Sequence, residues 1–337
     1  MTDTRDNMKS RPFGKTGRTV SEVGFGAWAI GDAWGPLVEE DTAVQALHAA
    51  LADGVDFLDT ADVYGAGRSE QLIARALKDY APGRDAVFLA TKTGRGPGWS
   101  ADYETMARSI EDSADRLGVN VIDLVQLHCI PTDLLLDGGV FEVLERIKDQ
   151  GLIRHYGASV ETIEEGLHCV RHSGCASLQV IYNIFRQRLN DQLLPEAHKN
   201  GVAIIARVPL ASGLLTGKYQ EDHDFPEDDH RNFNANGEKF NVGETFAGVP
   251  FEQGVKFSRR VADLAREHGL TAPLSQIALR WVLDQEEVTT VIPGAKDRRQ
   301  AHENSRSAKL PPLPAEFHEA LRTLYREEID PTVRGAY

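Results

Sequence analysis

Short apolar runs recur along this chain, and each is followed by a segment whose apolar positions return every three or four residues. The run Phe57-Leu58 ends at Asp59, Val87 to Thr91 at Lys92, and Leu124 to Leu127 at His128. A continuous apolar run reads as a strand covered on both faces, whereas the longer period reads as one buried face of a helix. Between Ser69 and Lys78, for example, Leu72, Ile73, Ala76 and Leu77 fall on a single helical face. The spacing predicts strands near Val23 and over Phe57–Asp59, Val87–Thr91, Ile122–Leu127, Ile153–Gly157, Leu178–Ile181, Val202–Ala206 and Val288–Ile292. Helices are expected over Glu40–Leu51, Ser69–Lys78, Ala101–Leu117, Val140–Gln150, Thr162–Ser173, Gln192–Asn200, Gln276–Leu283 and Arg298–Ser305. An eightfold strand–helix alternation favours a closed barrel over an open sheet, so the fold class expected is an α/β (β/α)8 TIM barrel.

Three segments depart from that rhythm. Pro12 to Val20 reads as a small hairpin with Lys15-Thr16-Gly17 at its turn, placed to plug the N-terminal end of the barrel. Residues 220–250 are polar and rich in Asp, Asn and Gly; so long a loop after the seventh strand reads as a functional flap on the face where barrels bind ligands. A C-terminal helix over Ala315–Tyr325 leads into a polar tail that either covers the pocket or is loose. The expectation is one domain spanning 1–337, with 1–10 and 328–337 flexible.

Composition narrows the functional classes. Hydrophobic residues at 41% and charged residues at 26% describe a globular chain with a large core. A formal charge of −14 argues against nucleic acid or an anionic membrane as partner, while leaving room for a local basic pocket. The three cysteines, Cys129, Cys169 and Cys175, form no disulfide framework, and the polar N-terminus has no apolar signal core. The protein is therefore expected to be cytoplasmic, with no membrane span and a small-molecule partner.

Ionisable residues at the C-terminal ends of successive parallel strands emerge on one face. Asp59, Lys92 and His128 do so, and Tyr64 follows Asp59 by five residues. A tyrosine titrates near 10 unless a cation stabilises its phenolate. Lys92 would be that cation, held by Asp59, and a shift of about two or three units would bring Tyr64 into the range useful for general acid catalysis. His128 would orient a carbonyl oxygen or relay a proton. Side-chain parity puts Phe88, Ala90 and Lys92 on one side of their strand and Leu124, Gln126 and His128 on one side of theirs, so Gln126 must find polar partners inside the barrel.

The segments Asp59-Thr60-Ala61-Asp62-Val63-Tyr64-Gly65, Ala90-Thr91-Lys92 and Asp123 to His128 resemble the catalytic tetrad motifs of the aldo-keto reductases. The likeness continues through Ile153–Ser159, Leu178–Asn183, Pro209–Lys218 and Ile292–Ala295, and so covers nearly the whole chain. It looks closest to bacterial members that also resemble potassium-channel β subunits. The resemblance implies NADPH-dependent interconversion of aldehydes or ketones and alcohols by hydride transfer, with Tyr64 as general acid and base. It also leaves a second reading, an NADPH-binding sensor or partner-binding module with little turnover.

A cofactor site can be placed on the same terms. The last strand ends in Ile292-Pro293-Gly294-Ala295-Lys296, where backbone amides at a following helix N-terminus and nearby cations could grip a phosphate. Lys and Arg there favour NADPH/NADP+ over NADH. The resemblance implies that Lys296 and Gln300 lie near the adenosine 2′-phosphate and that Glu303 and Asn304 face the adenine. It also implies that Ser159, Gln179 and Asn183 meet the nicotinamide carboxamide. Pro209, Leu210, Ser212, Gly213 and Lys218 would clasp the pyrophosphate, Arg231 would fold over the cofactor, and Gly26, Trp28 and Gly294 complete the set. Arg207 stands where the family has an aromatic that stacks on the nicotinamide.

Competing readings fail on spacing. Only three residues separate Gly213 from Gly217, and Tyr219 takes the place of the Ser or Thr of a phosphate-hydrolysing loop. Gly65-Ala66-Gly67 lacks the third glycine of a dinucleotide fingerprint. His168 and His172, with Cys169 and Cys175 nearby, lie on a helix that precedes a strand rather than at a pocket rim, so no metal is assigned. Trp281 reads as core, and Trp28 and Trp34 as candidates to line the substrate pocket.

Overall fold

The apolar runs become strands because each is enclosed on both sides, by helices outside and by the barrel interior within. The computed structural model describes residues 8–31, 35–78, 80–96, 98–172, 174–335 and 337; Trp34 and residues 1–7, to which expectations were attached, lie outside them. A hairpin of β1 (Ser10–Pro12) and β2 (Thr19–Ser21) comes first. The barrel strands are β3 (Phe25–Gly26), β4 (Phe57–Asp59), β5 (Phe88–Thr93), β6 (Ile122–His128), β7 (Ile153–Ser159), β8 (Cys175–Ile181), β9 (Ala203–Arg207) and β10 (Thr290–Val291). They pair in sequence order, all parallel, from β3 to β10. Parallel bridges Val23↔Val291 and Gly26↔Gly294 bring the first strand to the last, which makes this a (β/α)8 barrel. Closure depends on Gly26, where a Cβ would stand 2.6 Å from the carbonyl oxygen of Ile292.

Two cores follow from this geometry. One lies between the strands and the surrounding helices; the other, inside the barrel, comprises Phe13, Val20, Phe57, Phe88, Ala90, Leu124, Ala203, Ile205 and Ile292. Phe13, at the tip of the hairpin, is fully buried with its ring 4.8 Å from Phe88 and 5.6 Å from Phe57. The hairpin is thus the expected plug. Arg11 fastens it, donating to the carbonyls of Leu283, Val288 and Gln285 and pairing with Glu22 at 2.9 Å.

One long helix, Phe251–Glu267, was not anticipated. It follows the flap directly, with Pro250 before its first turn, and buries Val255, Phe257, Val261 and Ala265. The flap itself is compact: turns at Val242–Glu244 and Phe246–Gly248 fold back against the segment after β9. The C-terminal tail straps it down. Arg334 donates through its backbone N and its Nε to the Gly248 carbonyl, both at 3.1 Å, and Tyr337 bonds Tyr325 at 2.7 Å beneath the Arg186 guanidinium. Among the described residues no helix is long and apolar enough to cross a membrane.

Truncating the plug should be costly because the barrel interior cannot collapse onto the space left. Phe13→Ala is expected to lower unfolding free energy by about 3–5 kcal/mol in a urea titration, the range for a buried phenylalanine. A loss under about 1 kcal/mol would show that the hairpin is not part of the core.

Candidate active site

Strand register gathers the polar residues at the C-terminal mouth of the barrel. Asp59 pairs across from Ala90, Lys92 from Gln126, and His128 from Ser159, which pairs in turn with Gln179. Inward parity then converges the side chains. Lys92 Nζ donates to Asp59 Oδ2 at 2.6 Å and to the Thr60 carbonyl at 2.8 Å, and lies 3.4 Å from the Tyr64 hydroxyl. The other Asp59 oxygen accepts from Gln126 at 3.0 Å and from Gln179 at 2.8 Å. These are the polar partners that Gln126 required. The Tyr64 ring meets His128 edge-on at 5.7 Å and stacks on Trp28 at 6.1 Å.

Burial governs the proton affinities here. It pushes the Tyr64 phenol above its usual value, with Lys92 pulling the other way and Asp59 and Glu244 adding to the rise. The net direction is opposite to that expected from Lys92 alone, so the resting tyrosine is a protonated donor. Burial also draws Lys92 down, but Asp59 and Tyr64 outweigh it and leave the ammonium above its ordinary range. His128 is held well below 6.5 by burial and by Arg95, Lys92 and Arg207, so its imidazole is neutral. Its Nδ1 is buried without a hydrogen-bond partner.

A single cavity of about 470 Å³ opens from this cluster, within the size range of small-molecule sites. Asp59, Tyr64 and His128 line it, while Lys92 lies beneath its floor. Also lining it are Gly26, Trp28, Ser159, Gln179, Arg207, Pro209, Leu210, Ser212, Gly213, Lys218, Arg231, Gly294, Lys296, Gln300, Glu303 and Asn304, which is all but one of the residues assigned from the sequence to the cofactor. Asn183 is not among them. Its amide is consumed locally, donating to the Val208 carbonyl at 2.9 Å and accepting from Phe185 N at 2.8 Å.

The far end of the cavity is built for an anion. Lys218 is pushed down by burial and then by Arg231 and Arg299; Lys296 is pushed down by burial and then by Arg231. Cations that depress one another mark a place where negative charge is welcome. Arg231 is braced by Asp229 at 2.5 Å and by the Tyr219 hydroxyl. Asp297 caps helix Arg298–Arg306 by accepting from Gln300 N at 2.9 Å. Along the middle, Val208, Ala211, Ser212 and Gly213 all have positive φ, a strained turn of the kind that collects at functional sites. These features fit a phosphate-bearing dinucleotide.

The sequence reading missed a charged group beside Tyr64. Glu244, on the flap, accepts from Arg95 at 2.7 Å and lies 3.6 Å from Arg207; Arg95 also reaches Glu161 at 3.4 Å. Ser212 ties the flap in place, donating to the Glu244 carbonyl at 3.2 Å and accepting from Phe246 N at 3.0 Å. Nothing in the local sequence marks Glu244, because it reaches the site only through the fold of a long polar loop. Cys129, Glu161 and Glu244 form the one metal-competent group found among the described residues, and Arg95 and Arg207 already lie within reach of it. His168 and His172 are elsewhere, 3.3 Å apart on the outer helix Ile163–Arg171 and its cap, with His172 stacked on Phe141.

Comparison with known proteins agrees with this geometry. The family model described as "Aldo/keto reductase family" matches residues 22–326. The chain is 32% identical to aldo-keto reductase YhdN of Bacillus subtilis over 86% of its own length and 85% of the relative's. Among solved structures, the glycerol dehydrogenase AKR11B4 of Gluconobacter oxydans superposes with a TM-score of 0.75 at 30% identity, covering 97% of each chain. The holo form of AKR11C1 from Bacillus halodurans gives 0.71 at 29% identity, over 94% of this chain and 96% of that one.

Close to the site, Asp62 is an expensive carboxylate. Burial and then the neighbouring Glu70 raise it from 3.8 to about 6, and its Oδ1 has no hydrogen-bond partner. Below pH 3.8 the group is neutral folded and unfolded. Between 3.8 and 6 the unfolded chain releases the proton first and stability falls; above 6 the penalty is constant. Asp62→Asn should therefore be more stable than the parent at pH 8, by up to about 3 kcal/mol from a two-unit shift. That advantage should vanish as pH falls to 4. Denaturant titrations at the two pH values test this, and an advantage independent of pH would refute it.

Proposed function

This chain belongs to the aldo/keto reductase family, a family of oxidoreductases, and from that membership we propose that it is an NADPH-dependent enzyme interconverting aldehydes or ketones and alcohols. The observation that carries the reading is the layout of one cavity: a protonated tyrosine backed by a buried ammonium at one end, and mutually repelling cations at the other. A bound dinucleotide would lie along this cavity with its phosphates at the cationic end. When bound, the cofactor supplies the hydride that adds to the carbonyl carbon.

The protein's own part is to place the oxygen and provide its proton. Tyr64 donates the phenolic proton to that oxygen as the carbon–oxygen double bond opens, and takes it back when an alcohol is oxidised. Lys92, 3.4 Å away, stabilises the phenolate that remains, and Asp59 keeps Lys92 charged and aimed. His128, neutral, can hydrogen-bond the oxygen without competing as an acid. Lys218, Arg231 and Lys296 would hold the phosphates, and Ser159 and Gln179 the carboxamide. Gln179 holds Asp59 through its Nε2, so the carboxamide N–H would be accepted by its Oε1. The names of relatives such as the glycerol dehydrogenase favour small hydroxylated carbonyl compounds as a starting panel.

The test is oxidation of NADPH and NADH against aldehydes, ketones and keto sugars, with Tyr64→Phe alongside. The variant should bind NADPH with near-parental affinity while turnover falls about 10²-fold to 10⁴-fold, the usual share of acid catalysis. Retained turnover would overturn the role of Tyr64. Binding of NADPH by the parent with no oxidation of any carbonyl would favour the sensor reading instead.

A further inference from the structure

One cation at the reacting end of the cavity is poorly matched to its surroundings. Arg207 is 8% exposed at the end of β9, and its Nε is buried with no hydrogen-bond partner. Its terminal nitrogens reach Cys129 Sγ at 3.6 Å and Glu244 Oε1 at 3.6 Å, the latter longer than a hydrogen bond. Glu244 is itself committed to Arg95 at 2.7 Å. A buried guanidinium with idle donors is a cost to folding, so its place in the cavity wall calls for a reason other than stability.

Position supplies one. Arg207 and Glu244 line the same cavity as Tyr64 and His128, where Arg207 lowers the proton affinity of His128 and Glu244 raises that of Tyr64. A carbonyl held by Tyr64 and His128 needs its hydride donor within about 3.5 Å of the carbon. On the NADPH reading above, on which this step rests, the nicotinamide ring therefore stands beside the same charged wall. The reduced ring is neutral and the oxidised ring is a cation, while the phosphates are common to both. A fixed charge beside the ring thus acts on one oxidation state and not the other.

We infer that the Arg207–Glu244 pair sets which oxidation state of the cofactor this site prefers: Arg207 disfavours the oxidised ring, and Glu244 restrains that effect. The pair is a specificity determinant for reaction direction, and it takes no part in proton transfer. Two unit charges roughly 6–8 Å apart at an effective dielectric near 20 interact strongly enough to change relative affinity by roughly thirtyfold to a hundredfold. For a two-electron couple, each tenfold is about 30 mV in the potential of the bound cofactor.

The experiment is a separate fluorescence titration of the full chain with NADPH and with NADP+, read as the ratio Kd(NADP+)/Kd(NADPH). Glu244→Gln should raise that ratio tenfold or more, and Arg207→Met should lower it by a similar factor. A pocket merely loosened by substitution weakens both forms together and leaves the ratio where it was, so opposite movement is the signature. Should Glu244→Gln unsettle the flap, Arg207→Met alone still decides, by lowering the ratio or failing to. A ratio within threefold of the parent in both variants, or moving the same way in both, overturns the inference. If the parent binds neither cofactor, the NADPH reading falls first and this one with it.

Discussion

The ion pair between Lys92 and Asp59 is the constraint around which the rest is arranged. With side chains 1% and 3% exposed, neither charge could remain inside the barrel alone; the effective cost of burying an unpaired ion is several kcal/mol. Each is therefore surrounded. Lys92 has the Thr60 carbonyl and Tyr64 as further acceptors, and Asp59 has the amides of Gln126 and Gln179. The pair itself comes from β4 and β5, Thr60 and Tyr64 from the segment after β4, and the two amides from β6 and β8, and only the parallel register of a closed barrel aims them at one point. A polar network of this kind specifies its geometry because any missing member leaves a buried group unsatisfied.

The same network fixes what Tyr64 can do. Burial keeps the phenol protonated at rest, and the ammonium beside it becomes important when the proton leaves, since a phenolate in that position would otherwise be unsupported. Acid strength here is not a property of the resting pocket. It arises as charge develops, in an environment whose dipoles and charges are already in place.

Two further segments complete the cavity from outside the barrel. The flap brings Glu244 to the reacting end and Arg231 to the anion-binding end, and Ser212 stitches it to the strained turn after β9. The C-terminal tail holds the flap through Arg334 and Gly248, where a Cβ would meet the Arg334 carbonyl at 2.6 Å. Thus a largely polar loop is held by bonds at both margins. That is how a loop can deliver a buried carboxylate to within reach of two arginines.

Periodicity and strand-end chemistry were local signals, and they carried far. Eight apolar runs, the hairpin plug, and the four residues Asp59, Tyr64, Lys92 and His128 were legible because each depends on a few neighbouring positions and on the alternation of a strand. The helix Phe251–Glu267 was missed, because its polar start blends into the flap that precedes it. The rest was not local. The diversion of Asn183 into its own turn, the upward displacement of Tyr64 and the meeting of Glu244 with Arg95 and Arg207 depend on distances between segments far apart in the chain. The sequence by itself determined which groups stand at the mouth of the barrel; only the tertiary structure decided how buried they are and which charges they face, because desolvation and Coulomb energy depend on surroundings that no single stretch of chain contains.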